Sequence, residues 1–396
     1  MPYKIIFIIS VIGYSIAPFL YYDNNVLLIG GDDIKFEFFD PGLNIIHILS
    51  GAINNSNLSQ SSLITEVSNI GYYLLIYLID KISPINTQLS YLSLQLNLTF
   101  IGMLFLLKET AKNLRVKISF ICMILLANLY ALSPVLASTL MSTKLPVITY
   151  IWGMPLLMGL LLRFVRKGDK ITLTISIIVL FVQSSIYASV PWTIPLLPLL
   201  AIYIFLALRE NYKRAIIFLI TIIINIFIIN IDTLYLTFIG GLYSNGMFSI
   251  ESINASKHIS ISTSALNSNY ITLAGLPVNL FIGYYKNSSI YLNYLNIIII
   301  IIISLFCIFQ MLINKKSKKL NKFFKLIALN FIIINYLYNG FGHLNLYFSN
   351  AMENAKFLII WRNSYDKFSI AQSISFILLM FAMYTFVTNY NDEKIK

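Results

Sequence analysis

Apolar stretches long enough to cross a lipid bilayer recur along this chain. Examples are Ile118 to Leu136, Ile171 to Ser189 and Ile290 to Ile313. A helix rises about 1.5 Å per residue, so roughly 20 apolar residues cross the ~30 Å hydrocarbon core of a membrane. Because charged residues are almost absent from these stretches, they are typical of transmembrane helices and not of buried helices in a soluble protein.

The composition of the whole chain also excludes an ordinary soluble fold. Of 396 residues, 58% are hydrophobic and 11% are charged, whereas a soluble domain has about 25% charged residues. The cysteines, Cys122 and Cys307, both lie in apolar stretches, so neither a disulfide framework nor a cysteine-based metal site is predicted. The sequence therefore predicts an all-α polytopic protein, with residues 1–396 forming a single membrane domain.

The basic residues predict how the chain crosses the membrane. Lysine and arginine cluster in four segments between apolar stretches, at 108–117, 163–170, 209–214 and 315–325. Loops rich in these residues stay on the cytoplasmic side. This rule predicts about ten spans in the cell membrane with both termini cytoplasmic, and it makes the net charge of +12 mainly an orientation signal, with no nucleic-acid partner implied. The predicted spans lie near residues 5–22, 89–107, 118–136, 147–165, 171–189, 191–208, 215–231, 290–313, 326–341 and 369–388.

Two shorter apolar pieces are not counted as spans, because a span at either place would move a basic cluster to the outer side. One is Ile70 to Ile79, which we interpret, together with Pro41 to Ile53, as interfacial or re-entrant helix in the first outer loop. The other is Ile271 to Tyr285. The topology then has three long extracytoplasmic loops in which we expect the function to reside: residues 23–88, 232–289 and 342–368.

Carboxylates are concentrated in the first of these loops. The run from Gly30 to Gly42 mixes acids with aromatic residues at a predicted membrane surface, where pKa values shift readily. A carboxylate there can act as general base toward an acceptor hydroxyl, while a nearby cation binds the phosphate of a lipid-linked sugar. The alternative is that these acids only solvate the loop. The catalytic candidates are Asp33, Asp32 and Glu37, and the substrate-binding candidates in the same run are Lys35 and Asp40.

A second cluster lies before the last predicted span. Arg362 and Lys367 occur on the outer side, where basic residues are disfavoured, beside Trp361 and Tyr365. An arginine can hold two phosphate oxygens at once. We therefore take Arg362, Lys367 and Tyr365 as candidates for binding a phosphate or pyrophosphate headgroup. The alternative is that they only anchor the chain at the interface.

Other functional classes have less support in the sequence. The histidines, His47, His258 and His343, are scattered without metal-ligand spacing, so no metal site is assigned. The sequence assigns no cofactor with certainty, although a divalent metal is compatible with the acidic loop. Ionisable residues are nearly absent from the middle of the spans, whereas pumps keep them there despite a cost of ~2.5 to 3.5 kcal/mol each. This pattern disfavours ion-coupled transport.

Three segments together resemble a known family. They are Asp33-Ile34-Lys35 followed by Asp40-Pro41-Gly42, then Tyr130-Ala131-Leu132-Ser133-Pro134, then Trp361 to Phe368 with its Arg-x-x-Tyr-x-Lys-Phe pattern. In this order they are similar to the membrane-embedded GT-C glycosyltransferases, and most to the amino-terminal membrane part of arabinofuranosyltransferase D type enzymes. Ile34 stands where that family has threonine, and the family's long extracytoplasmic carbohydrate-binding portion has no counterpart here.

The resemblance implies a GT-C-like fold and a polyprenyl-phosphate-linked sugar donor at the extracytoplasmic face of the cell envelope. It also implies a glycan or glycolipid acceptor and an inverting transfer with a first-loop aspartate as base. On this hypothesis Asp33 is the base, Asp32 or Glu37 orients the acceptor, and Arg362 and Lys367 hold the donor phosphate. Two alternatives use the same features without bond chemistry. One is a transporter, flippase or polymerase of lipid-linked glycans, and the other is a non-catalytic membrane subunit.

Overall fold

The computed structural model describes residues 2–22, 38–50, 67–83, 86–133, 145–183, 190–231, 318–338, 347, 349–351 and 364–394. Within these ranges the chain is helical and has no strand, which confirms the predicted all-α class. Short 3-10 turns precede two of the helices, at Val67–Asn69 and Ile194–Leu196. The helices are α1 (Pro2–Tyr21), α2 (Pro41–Ser50), α3 (Ile70–Ile82), α4 (Thr87–Leu114), α5 (Phe120–Ala131), α6 (Leu145–Lys167), α7 (Lys170–Val182), α8 (Val190–Thr193), α9 (Leu197–Ile229), α10 (Lys318–Tyr338) and α11 (Ser364–Lys394).

Five segments of this described structure are long and apolar enough to cross a membrane, which agrees with a multi-pass protein. Shorter apolar helices, Phe120–Ala131 and Lys170–Val182, occur where two further spans were predicted. The predicted spans 191–208 and 215–231 share one helical element, and Asn211 interrupts it with non-helical dihedral angles (φ −157°, ψ 99°). The five long segments are Tyr3–Tyr21, Thr87–Leu114, Ile194–Ile229, Lys319–Leu337 and Lys367–Phe386.

The described chain divides into two compact units. The first contains α1 to α7 and the part of α9 from Tyr203 onward. The second contains the segment Pro191–Ile202 together with α10 and α11. Each unit is described below by itself.

In the first unit, contacts between helices define their relative directions. Tyr3 stacks edge-on against Phe120, with ring centroids 5.6 Å apart, and Tyr14 donates a hydrogen bond to Asn128, so α1 and α5 run parallel. In contrast, α1 and α4 run antiparallel, since the Ser93 hydroxyl near the start of α4 donates to the carbonyl of Ser15 near the end of α1 (2.9 Å).

Helices α4 and α6 run parallel to each other, and glycines let them approach closely. A Cβ atom at Gly102 would lie 2.7 Å from the Trp152 carbonyl oxygen, and one at Gly159 would lie 2.7 Å from the Phe105 ring. Small residues at such positions are typical of tightly packed membrane helices. The residue numbers on both helices rise together, so both helices end on the same side of the unit.

A tight turn connects α6 to α7. Gly168 adopts a positive φ of 71°, and its N–H donates to the Phe164 carbonyl (2.6 Å) to close α6. Asp169 then caps α7 by accepting a hydrogen bond from the backbone N–H of Thr172 (2.7 Å). A left-handed glycine followed by an aspartate N-cap explains why the chain reverses here within two residues.

In the second unit, α10 and α11 form an antiparallel pair. The rings of Phe331 and Phe376 lie 6.0 Å apart, and Phe324 near the start of α10 contacts Phe386 near the end of α11. The Asn330 amide donates to the Ser375 hydroxyl (2.7 Å) at the buried centre of this pair. The predicted last two spans, 326–341 and 369–388, therefore fall on two neighbouring helices of opposite direction.

Candidate functional site

A cluster of buried aromatic residues lies directly after the acidic run of the first loop. Phe38, Tyr72 and Tyr91 are each at most 6% exposed and pack with Ile76, and we call these four residues the aromatic shelf. The Tyr91 ring contacts both Phe38 (centroids 5.5 Å apart) and Tyr72 (5.7 Å apart, perpendicular). Because Phe38 immediately follows Glu37, the shelf fixes the chain at the carboxyl end of the predicted catalytic segment.

Close backbone packing positions the shelf against α7. A Cβ atom at Gly71 would overlap the backbone carbonyl oxygen of Phe181, so only glycine lets the start of α3 lie against the end of α7. Gln183 closes the same end of α7 by donating from its side chain to the Thr149 carbonyl near the start of α6 (2.5 Å). The shelf residues on α3 and at the start of α4 therefore belong to a closely packed end of the first unit.

Asp40, a predicted substrate-binding residue, has a structural contact. Its carboxylate accepts a hydrogen bond from the backbone N–H of Leu43 (2.9 Å) at the start of α2. An aspartate in this position satisfies one of the free N–H groups of a helix N-terminus. Asp40 therefore starts α2 three residues after the predicted catalytic run ends.

Asp80 supplies a second carboxylate beside the shelf. The Thr87 hydroxyl at the start of α4 donates to it (2.9 Å), and the Lys81 ammonium lies 3.8 Å from its other oxygen. Lys81 also lies over the Tyr77 ring, 5.2 Å from its centroid. The hydrogen bond from Thr87 to Asp80 connects α3 to the start of α4. The Lys81 side chain is 61% exposed.

The structure describes only part of the predicted site. Asp32, Asp33, Lys35 and Glu37 lie outside the described residues, and so does Arg362. Their predicted roles stay predictions. Tyr365 and Lys367 belong to the first turns of α11.

Lys367 has a defined partner in the second unit. Its ammonium nitrogen lies 3.1 Å from the centroid of the Trp192 indole, on the face of the ring. A cation over an indole face gains roughly 0.5 to 2 kcal/mol, depending on how far water is excluded. The indole Nε1 of Trp192 is buried, and the described part of the chain offers it no hydrogen-bond partner. The arrangement fixes the charge of Lys367 beside a hydrogen-bond donor, which is compatible with a bound anion.

A separate group of charged residues lies where α4 and α6 end. The Glu109 carboxylate, whose side chain is 3% exposed, pairs with Arg166 of α6 and with Lys112 one turn later on α4 (2.9 Å). Two cations on one buried carboxylate compensate the cost of removing that charge from water. We call this set, together with the residues of the next paragraph, the charged end.

Arginines on neighbouring segments complete the charged end. Arg214, just after the break in α9, donates to the carbonyls of Val165 (3.2 Å) and Arg166 (3.0 Å) at the end of α6. Arg163 lies 3.7 Å from the Asp169 carboxylate. Hydrogen bonding by Thr172, followed by the charge of Arg163, lowers the pKa of Asp169 below its ordinary value. The charged end thus joins α4, α6, α7 and α9.

Sequence reasoning treated these basic residues only as orientation signals and missed their pairing. One signal was present, because Glu109 is a single acid inside a basic cluster and lies three residues before Lys112. The aromatic shelf was also missed, since Tyr72 and Tyr91 belong to different helices and only packing brings them together.

Among the described residues, no group of three histidine, cysteine, aspartate or glutamate side chains is arranged to hold a metal ion. No protein-family model matches this sequence, and no curated protein matches it. The resemblance to GT-C glycosyltransferases therefore rests on the sequence motifs alone.

Proposed function

We propose that this chain is a membrane glycosyltransferase that uses a polyprenyl-phosphate-linked sugar donor at the extracytoplasmic face. In this proposal it has about ten spans, a GT-C-like fold and two cytoplasmic termini. Asp33 is the general base, Asp32 or Glu37 orients the acceptor, and Arg362 and Lys367 bind the donor phosphate. The aromatic shelf is the observation that carries the proposal most directly, because it anchors the chain one residue after the acidic run.

Anchoring matters because a general base must stay within hydrogen-bond reach of the hydroxyl it deprotonates. With Phe38 buried and Asp40 capping α2, the chain is held on the carboxyl side of residues 32–37. A loop that only solvates the surface needs no such fixed end. The fixed chain end next to residues 32–37 therefore favours a catalytic role for these acids over a role in solvating the loop.

The helix directions of the first unit support the proposed topology. Ten alternating spans require α1 and α5 to cross in one direction and α4 and α6 to cross in the other. The Tyr14–Asn128 contact makes α1 and α5 parallel, and the Ser93–Ser15 contact makes α1 and α4 antiparallel, as this topology requires. In the same topology the charged end is cytoplasmic and the aromatic shelf is extracytoplasmic.

The donor phosphate requires a cation that does not leave its position as charge develops on the leaving group. Lys367 satisfies this requirement through its contact with Trp192. In the proposed reaction the acceptor oxygen bonds to the anomeric carbon from the face opposite the lipid phosphate. The bond to the phosphate oxygen breaks with its electron pair, and the acceptor proton passes to Asp33.

The direct test is transfer of radiolabelled sugar from a polyprenyl-phosphate donor by the purified protein. Asp33→Asn should abolish transfer without changing expression or membrane insertion, whereas Asp392→Asn near the end of α11 serves as a charge-matched control and should keep full activity. Wild-type turnover by Asp33→Asn would remove Asp33 from the role of base. If the purified wild-type protein moved the lipid-linked sugar between leaflets without forming a new glycosidic bond, the flippase alternative would replace the proposal.

A further inference from the structure

The basic residues near the charged end fall into two groups according to their contacts. One group is paired with other groups of the protein: Lys112, Arg163, Arg166 and Arg214 bind carboxylates or helix-end carbonyls. The other group is exposed, and no hydrogen bond or ion pair joins its side chains to the rest of the described chain. We call five of these exposed residues the basic rim: Lys108, Arg115, Lys117, Lys170 and Lys213.

The contacts of the charged end bring the rim residues to one end of the unit. Glu109 and Arg166 join the end of α4 to the end of α6, and Arg214 joins α9 to that same end. Three rim residues are adjacent in sequence to residues that form these ion pairs and hydrogen bonds: Lys108 precedes Glu109, Lys170 follows Asp169, and Lys213 precedes Arg214. Residues distant in sequence therefore form one positively charged rim.

The rim borders surfaces that are both apolar and exposed. Ile171, directly after Lys170, is 70% exposed, and Ile217, one turn after Lys213, is 52% exposed. In a membrane such side chains contact lipid tails, so the adjacent lysines lie at the depth of the lipid headgroups.

We infer that the basic rim binds the headgroups of anionic phospholipids. Of the carboxylates beside the rim, Glu109 and Asp169 are already paired with cations of the charged end. Glu210, three residues before Lys213, is a single acid beside five basic residues, so the rim keeps a net positive charge. Each lysine or arginine near a negatively charged leaflet adds about 1 kcal/mol of attraction, which is roughly a five-fold change in affinity. This inference requires only that the apolar helices are in a bilayer, and it does not depend on the proposed transferase activity.

The test is titration of the purified full-length protein in detergent with short-chain phosphatidylglycerol, compared with phosphatidylcholine, with binding measured by native mass spectrometry. We expect wild-type protein to prefer phosphatidylglycerol. Single Lys117→Gln, Lys170→Gln and Lys213→Gln variants should each weaken that binding about five-fold, and the triple variant should weaken it more than tenfold. Raising the salt concentration should reduce the preference, since exposed charges are screened.

The control is Lys81→Gln on α3, whose side chain is also largely exposed but lies outside the rim. It should leave phosphatidylglycerol binding unchanged. Equal binding of both lipids by wild type, or undiminished phosphatidylglycerol binding by the triple variant, would overturn the inference. A single-stranded oligonucleotide that displaced the lipid would overturn it too, because the rim would then be a nucleic-acid surface. The single variants keep the test decisive if the triple variant fails to fold.

Discussion

The carboxylate of Glu109 on α4 pairs with the guanidinium of Arg166 on α6, although the two residues are 57 positions apart in the chain. Lys112 approaches the same carboxylate. The pair lies where both helices end, so it aligns the carboxyl ends of α4 and α6. The glycines determine the distance between the two helix axes. An acid that is buried at the end of a long apolar helix is thus part of the packing of the first unit.

Arg166→Gln should destabilise the protein more than Glu109→Gln. Removing Arg166 leaves a carboxylate that is 3% exposed with Lys112 alone, whereas removing Glu109 leaves two cations that are each at least 32% exposed. Breaking a buried pair in this way costs roughly 3 kcal/mol. Thermal unfolding in detergent measures the difference, with Arg209→Gln as a matched exposed-arginine control. Equal unfolding temperatures for Arg166→Gln and Arg209→Gln would show that the pair does not stabilise the fold.

Gly168→Ala should lower the free energy of unfolding by about 1 to 2 kcal/mol. The residue has a φ of 71°, and an added Cβ would lie 2.9 Å from the Arg214 guanidinium. Gly13→Ala is the control, since its Cβ would meet nothing within 4 Å. Because alanine favours helix over glycine, the control should be neutral or slightly stabilising. The same loss in both variants would mean that the turn is not strained by a side chain.

Asp169 makes stability depend on pH in the acid range. Its pKa is lowered in the folded protein by hydrogen bonding to Thr172 and by Arg163, so the folded state favours the carboxylate. This stabilisation is fully present above the ordinary aspartate pKa of about 3.9 and is lost as pH falls through the lowered value. The difference in unfolding temperature between wild type and Asp169→Asn should therefore shrink between about pH 5 and pH 3. A constant difference over this window would contradict the assignment.

Phe38→Ala should reduce sugar transfer under the proposed function. The side chain is 6% exposed in the aromatic shelf, and its loss releases the chain next to Glu37. Phe39→Ala is the matched control, because Phe39 is 83% exposed and should tolerate the change. Phe38→Leu keeps most of the buried volume and should retain partial activity. Membrane content is measured alongside transfer; full activity of Phe38→Ala would separate the shelf from the site.

Arg362→Lys should lower kcat for the lipid donor more than it raises KM. The charge survives the change, but the geometry that holds two phosphate oxygens does not, and that contact strengthens as the lipid phosphate departs. Arg362→Ala should lose still more activity. Steady-state kinetics with a polyprenyl-phosphate sugar provide the measurement. A lysine variant with wild-type kinetics would return Arg362 to an anchoring role.

The sequence predicted the helices well where an apolar stretch is bounded by charges or capping residues. The break at Asn211 falls between Arg209 and Lys213, inside a predicted basic loop, and the helical segments after Pro41 and from Ile70 were both anticipated. The number of ten spans remains a prediction, because five described helices meet the length and hydropathy needed to cross a membrane.

Contacts between helices could not be predicted in the same way. The residues of α11 from Phe368 to Leu379 are buried on every side, so no alternation of polar and apolar residues marks the face that meets α10. The overlap at Gly71 and the pairing of Glu109 with Arg166 depend on which helices become neighbours. The packing of Lys367 on Trp192 is of the same kind, since the two residues are far apart in the chain.

The parallel packing of α4 and α6 has an electrostatic consequence. Each helix carries a macrodipole whose negative pole, about half an elementary charge, lies at its carboxyl end. Two such poles lie side by side here and would repel each other. Arg214 donates to two carbonyls at the end of α6, and Arg166 brings a positive charge to the end of α4. Arg214 therefore offsets the negative pole at the end of α6. At the end of α4, Arg166 and Lys112 are two cations against the single acid Glu109, so the net charge there also opposes the repulsion between the two aligned dipoles.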